Sequence, residues 1–70
     1  MRNITAVKNG KTILLKIQIP HALGRAKGLE IVASWAPQYQ RELNRRFGVQ
    51  TELADREVDD KYVTYTYYAK

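Results

Sequence analysis

Residues 29–47, LEIVASWAPQYQRELNRRF, decide the fold of this 70-residue chain. Their apolar side chains recur every three or four positions, which places them on one face of an α-helix. Gly48 follows at the position where a residue in the left-handed conformation commonly ends a helix. We therefore predict one long helix against which the rest of the chain packs. Its apolar face consists of Leu29, Val32, Ala36, Tyr39, Leu43 and Phe47.

Pro37 lies near the middle of this stretch and leaves the start of the helix open. A proline inside a helix costs about 3 kcal/mol or bends the axis. In one alternative, residues 29–33 form a short strand and Ser34 caps a shorter helix with Pro37 in its first turn. Because the apolar spacing continues through the proline, we predict helix on both sides, with a bend between residues 34 and 37.

The first part of the chain has the pattern of a β-hairpin around Asn9-Gly10. Both residues tolerate the positive φ angles of a two-residue type I′ turn. The predicted pairs are then Lys8–Lys11, Ala6–Ile13, Ile4–Leu15 and Arg2–Ile17. Directly opposed residues share a face, so the buried face receives Ile4, Ala6, Ile13, Leu15, Ile17 and Ile19. The outer face receives Asn3, Thr5, Val7, Thr12, Leu14, Lys16 and Gln18.

Two more strands are predicted after Gly48. Val49, Thr51 and Leu53 alternate as in a strand, and residues 61–68, KYVTYTYY, are rich in strand-forming residues. Asp59-Asp60 is typical of the turn between them, whereas residues 54–58 fit either a strand or a helical turn. In the last strand, Val63, Tyr65 and Tyr67 share the predicted buried face. The outer face takes Tyr62, Thr64, Thr66 and Tyr68.

The predicted order is thus β-β-α-β-β, a two-layer α+β domain in which one long, kinked helix packs on a mostly antiparallel sheet. Seventy residues make a single domain with a small core. Without cysteine, no disulfide or thiolate metal site can stabilise it. Packing around Trp35, Phe47 and the tyrosines, or self-association, must do so.

The residue types argue against catalysis. His21 is the sole histidine and Ser34 the sole serine, and cysteine is absent, so the usual nucleophile–base pairs cannot be assembled. We expect no enzyme, no catalytic residue, no metal and no cofactor. The sequence also lacks a secretory leader and an apolar run of about 18 residues, so we expect a cytoplasmic protein without a membrane partner.

Charge is distributed unevenly along the chain, whose net charge is +5. No acidic residue precedes Glu30, whereas five of the seven acids follow Val49. Such asymmetry suggests a basic face for nucleic acid or for an acidic protein. Charges that serve only solubility are the alternative.

Three basic elements are candidates for phosphate contacts: the hairpin, the GRAKG segment at residues 24–28 and the end of the helix. Glycines let the backbone approach an anion, and a helix N-terminus points free N–H groups at it. Each element has an alternative explanation. The hairpin can be an ordinary exposed hairpin, the GRAKG segment a flexible loop, and the arginines at the end of the helix can simply complement the helix dipole. The predicted nucleic-acid-binding residues are Lys8, Lys11, Lys16, Arg25, Lys27, Arg41 and Arg45.

The leading hypothesis is a small basic binding module that contacts nucleic acid, DNA or RNA, as a regulator or accessory protein. Its size is typical of the accessory proteins that phages and mobile elements encode. The alternative is a protein-binding module or inhibitor that docks, or forms a homodimer, through exposed tyrosines or a sheet edge. Tyr62 and Tyr68 are the predicted partner-binding residues.

Overall fold

A computed structural model describes residues 4–70, which form one four-stranded antiparallel sheet with a helix packed on one face. The elements are β1 (Ile4–Asn9), β2 (Thr12–Gln18), α1 (Arg25–Phe47), β3 (Thr51–Val58) and β4 (Tyr62–Ala69). The strand order is β1-β2-β4-β3, so β1 and β3 are the edges. The predicted α+β architecture is confirmed.

The first hairpin keeps the predicted faces, but its register is wrong by two residues. The turn consists of Gly10 and Lys11, and Ala6 pairs with Leu15 rather than with Ile13. Gly10 has a positive φ of 63°, and among residues 4–70 only glycines have a positive φ. Positive φ at only the first central position fits a type II′ turn, so Asn9 stays in the strand. Arg2, the predicted partner of Ile17, and Asn3 lie outside the described residues; Ile17 pairs with Ile4.

Helix α1 runs without interruption through Pro37, as predicted, and the alternative strand at residues 29–33 is wrong. Ser34 is not a cap: its hydroxyl donates a hydrogen bond to the carbonyl oxygen of Ile31 at 2.7 Å. Gly48, with φ 65°, ends the helix, and the Val49 N–H donates to the Asn44 carbonyl oxygen at 3.0 Å. The bend at residues 34–37 stays a prediction.

The helix begins earlier than the sequence indicates, so the segment at residues 24–28 is not a loop. Gly24 precedes the first helical residue with φ 92°, and the Gly28 N–H already donates to the Gly24 carbonyl oxygen at 2.9 Å. Gly28 is buried because α1 crosses the end of β2 there: a Cβ atom would clash with the Pro20 carbonyl oxygen and lie 2.8 Å from Cγ2 of Ile19. Close packing therefore explains this glycine.

Strand β3 includes residues 54–58, which excludes the alternative of a helical turn. A bulge between Leu53 and Asp55 interrupts its pairing with β4. The predicted Asp59-Asp60 turn is present: the Asp59 N–H donates to the Tyr62 carbonyl oxygen at 2.8 Å, and the Asp59 carboxylate accepts from the Asp60 N–H at 2.7 Å.

The core lies between α1 and the two central strands. As predicted, Val63, Tyr65 and Tyr67 of β4 face the helix, and Tyr65 stacks with Tyr67 at a centroid distance of 6.2 Å. In β3 only Thr51 is buried, so the helix leaves this edge largely uncovered. The buried hydrophobic residues are Ile13, Leu15, Ile17, Ile19, Val32, Tyr39, Leu43, Val63, Tyr65 and Tyr67.

Thr51 joins the helix to the start of β3. Its hydroxyl donates to Oδ1 of Asn44 at 2.6 Å and accepts from Nε2 of Gln40 at 3.2 Å, and the same Nε2 lies 3.1 Å from the Thr51 carbonyl oxygen. These bonds fix the last turns of α1 beside one end of the sheet. Nowhere in residues 4–70 does a helix combine the length and the apolar character that crossing a bilayer requires.

Candidate nucleic-acid interface

One end of the molecule holds cationic residues from three parts of the chain, the first hairpin, α1 and the chain after β4, and we call it the basic end. The tip of the first hairpin meets the end of β4 here, because the Ala69 N–H donates to the Lys11 carbonyl oxygen at 2.7 Å. The Lys70 N–H donates to the Gln50 carbonyl oxygen at 2.7 Å, which adds the segment after α1. The basic end consists of Lys8, Lys11, Arg41, Arg45, Arg46 and Lys70.

The last turns of α1 lie over β1, which brings the helix arginines to the hairpin. A small open cavity of about 90 Å³ separates the two elements, and it is lined by Ala6 from the strand and by Glu42 and Arg46 from the helix. Lys8 follows Ala6 by two residues and therefore shares its face of β1. The Arg46 guanidinium lies 5.4 Å from the ring centroid of Phe47. Lys8 and Arg46 thus belong to one side of the basic end.

Arg41 and Arg45 are both exposed and lie one turn apart on α1. The buried residues of the same region, Tyr39 and Leu43, mark the opposite face, so both guanidinium groups point away from the sheet. Arg45, in the last turn, also interacts favourably with the helix dipole. The basic end therefore has an outward-facing part on the helix and a second part at the hairpin tip.

Arg25 and Lys27 lie at the opposite end, beside the turn between β3 and β4. The Arg25 guanidinium donates to the Asp59 carbonyl oxygen at 3.2 Å, and Nζ of Lys27 lies 3.5 Å from Oε2 of Glu30. Both contacts are exposed and contribute little to stability. The structure does not bring these two residues together with the hairpin lysines.

Lys16 lies on a third surface, the face of the sheet opposite α1, which we call the open face. Its ammonium group lies 4.4 Å from the ring centroid of Tyr62 on β4. Lys16, a predicted phosphate-binding residue, and Tyr62, a predicted partner-binding residue, therefore contact each other through a cation–π interaction. Tyr68, the other one, is 55% exposed at the end of the same face.

The open face has an ordered composition that follows from the strand pairing. Across β1, β2, β4 and β3, one row reads Val7, Leu14, Thr66 and Asp55. The rows on either side end in Glu52 and Glu57, so three carboxylates follow the β3 edge. We call Glu52, Asp55 and Glu57 the acidic column. Because it lies on the open face, this face is a poor surface for phosphate.

Sequence reasoning did not select Arg46 and Lys70 as site residues. Arg46 is adjacent to Arg45 in the sequence, but the strand that it faces depends on how α1 lies over β1. Lys70 reaches the basic end only through the pairing of β4 with β2 and β3, which the sequence pattern does not specify.

Comparison with protein-family models, with curated proteins and with solved structures gave no match. The fold defines the chain as a small ββαββ domain of the α+β class. Among residues 4–70, no three His, Asp or Glu side chains come together in a group that could hold a metal ion. A function must therefore be argued from the distribution of charge and exposed surface.

Proposed function

We propose that the protein is a non-enzymatic nucleic-acid-binding module that contacts the phosphate backbone with its basic end. The observation that carries this proposal is the location of six cationic residues, from the hairpin, the helix and the chain after β4, at one end of the molecule. Binding to phosphates releases condensed counterions, which gives affinity without any need for a pocket or a cofactor.

Local charge balance favours the basic end over the other cationic residues. Its six cations share their surroundings with two carboxylates, Glu42 and Glu52. At the opposite end, the three cations lie among an equal number of carboxylates: Arg25, Lys27 and Lys61 beside Glu30, Asp59 and Asp60. A field of one sign attracts a polyanion, whereas mixed charges cancel over a Debye length of about 8 Å.

The spacing of the helix arginines suits a nucleic-acid strand. Arg41 and Arg45 are separated by about 6 Å along the helix axis, close to two nucleotide steps of about 3.4 Å each. Gln38 precedes them by one turn and is exposed, so it can hydrogen-bond to sugar or base edges. A backbone-directed module with this composition would bind many sequences and act as an accessory protein or regulator.

The direct experiment is a binding titration with a fluorescein-labelled DNA duplex of about 20 base pairs and a single-stranded RNA of the same length, at low salt. We expect an anisotropy increase with at least one probe, and a steep loss of affinity as salt is added. The absence of binding to both probes would remove the proposal.

Matched variants separate the basic end from overall charge. Lys8→Gln, Lys11→Gln and Arg45→Gln together remove three charges from the basic end, and the control removes three from the opposite end by Arg25→Gln, Lys27→Gln and Lys61→Gln. We expect the first variant to weaken binding by on the order of 10²-fold and the control by less than about tenfold. Equal losses would indicate nonspecific attraction by net charge.

A further inference from the structure

The open face exposes apolar side chains that the fold does not use. Val7 is 52% exposed, Leu14 is 42% exposed and Tyr68 is 55% exposed, and all three lie on this face. Val7 pairs directly with Leu14, and Tyr68 pairs with Thr12 in the adjacent row. Helix α1 covers the other side of the sheet, so nothing in residues 4–70 covers this apolar strip.

The acidic column borders the same face along β3. Glu52, Asp55 and Glu57 are all exposed and point to the side occupied by Tyr68, Thr66 and Thr64, their respective partners on β4. One Asp55 oxygen accepts the Arg56 N–H at 2.8 Å, which leaves the second oxygen for a partner. Within the four strands, the one cation on this face is Lys16, which lies over Tyr62 and two strands away from Glu57.

We infer that the open face docks an amphipathic helix of a partner protein, whose apolar stripe covers Val7, Leu14 and Tyr68 and whose basic flank meets the acidic column. Val7, Leu14 and Tyr68 lie on three adjacent strands, which at a spacing of about 4.8 Å span about 10 Å, the width of a helix. The flank of such a helix therefore reaches the remaining strand, β3. Covering a sheet on both faces with helices is a common layer arrangement. The bound partner would complete a three-layer domain.

A second copy of this chain does not complement the face. In a dimer with its two-fold axis across the strands, each strand lies over itself and the acidic column opposes its own copy. With the axis along the strands, the column lies over another strand of the copy, and Lys16 is the one cation within the strands that it can meet there. If β3 lies over β2 of the copy, Glu57 faces Lys16, whereas Asp55 faces the apolar side chain of Leu14. Uncompensated carboxylates oppose both arrangements.

Nucleic acid does not suit the face either. An aromatic side chain on a sheet can stack a base, as Tyr68 could, but the backbone of that strand would run beside three carboxylates. The proposed phosphate-binding surface lies instead at the basic end. Because the two surfaces consist of different residues, an experiment that excludes one of the two proposals does not exclude the other.

The test uses the full 70-residue chain, isotopically labelled, and synthetic helical peptides of about 15 residues. The first peptide has a leucine stripe flanked on one side by lysines. The second has glutamates in place of the lysines, and the third is a scrambled version of the first without an apolar stripe. We expect only the first to bind, with amide chemical-shift changes at Val7, Leu14, Thr66 and Tyr68.

Charge reversal of the acidic column then tests its role. Glu52→Lys, Asp55→Lys and Glu57→Lys together should weaken binding of the lysine peptide by on the order of tenfold and favour the glutamate peptide. The matched control reverses three exposed carboxylates elsewhere, by Glu30→Lys, Glu42→Lys and Asp60→Lys, and should leave the affinity unchanged. Where the triple variant does not fold, Glu57→Gln gives the same comparison with a smaller effect.

The other outcomes overturn the inference. These are no binding of the lysine peptide, equal binding of the scrambled or glutamate peptide, and shifts confined to another surface. An oligonucleotide that shifts the Leu14 and Tyr68 amides would identify nucleic acid as the occupant. A dimer in sedimentation equilibrium that dissociates with Leu14→Lys would identify a second copy.

Discussion

The main-chain N–H of Ala69 donates a hydrogen bond to the carbonyl oxygen of Lys11 at 2.7 Å. This bond joins the turn of the first hairpin to the end of the last strand, although 58 positions separate the two residues. It is the reason that Lys11 and Lys70 belong to one surface, and it makes the geometry of the hairpin turn relevant to the proposed function.

The turn itself gives the first prediction. Gly10 has φ 63°, whereas Asn9 lies in β1 paired with Thr12. We expect Gly10→Ala to lower the free energy of unfolding by about 1 kcal/mol, because alanine is strained at positive φ. We expect Asn9→Thr, a strand-forming replacement, to change it by less than about 0.5 kcal/mol. Urea denaturation measures both, and a large loss for Asn9→Thr would instead support a type I′ turn at Asn9-Gly10.

Two physical effects predict opposite changes in stability for a substitution at Gly28. Helix propensity alone predicts that Gly28→Ala raises stability by about 1 kcal/mol. Contact with Pro20 and Ile19 predicts the reverse, a loss of about 1–3 kcal/mol, because neither the carbonyl oxygen nor the packed side chain can move freely. Urea denaturation decides between them: a more stable variant would show that α1 does not cross β2 this closely.

A substitution at Thr51 tests the contribution of its hydrogen bonds, which connect α1 to the sheet. Thr51→Val keeps the shape of this buried side chain but removes its bonds to Asn44 and Gln40. We expect a loss of about 1–3 kcal/mol, since the two polar side chains lose a partner in a partly buried position. Thr5→Val on the exposed side of β1 is the control and should change stability by less than about 0.5 kcal/mol. Equal effects would mean that the bonds contribute nothing.

Alkaline pH should destabilise the fold through Tyr67. Burial, with the nearby Tyr65 adding to it, raises the pKa of Tyr67 from 10.0 to about 12. The folded state therefore keeps its proton more tightly than the unfolded state, and the stabilisation is fully present below pH 10 and lost as the pH rises from 10.0 towards about 12. The two-unit difference corresponds to about 3 kcal/mol. Urea denaturation across this range should show that loss, and Tyr67→Phe should reduce it; an unchanged slope in the variant would exclude Tyr67 as the cause.

The hairpin shows why faces are easier to predict than register. Moving the two-residue loop from Asn9-Gly10 to Gly10-Lys11 shifts every pairing by two positions, which returns each side chain to the same face. The burial of Ile13 and Leu15 was therefore predicted correctly, although the predicted position of the turn was wrong. Helix α1 was predictable for a similar reason, because its apolar spacing continues through Pro37.

The candidate site was harder to predict, because it depends on contacts between distant elements. Nothing local distinguishes Arg25 from Arg45, yet the former lies beside Asp59 and the latter at the other end of the same helix. The alternation of β2 places Lys16 on its outer face, but the Tyr62 ring beneath it comes from the pairing of β2 with β4. Strand order, which the sequence does not specify, determined which cations gather.

The central claim is that the basic end contacts phosphates, and the salt dependence of binding tests it most directly. The slope of log affinity against log salt counts the phosphates neutralised, at about 0.9 per contact for duplex DNA. For the variant that combines Lys8→Gln, Lys11→Gln and Arg45→Gln, we predict a slope smaller by about 2–3 than that of the unsubstituted chain. The same slope in both proteins would contradict the claim.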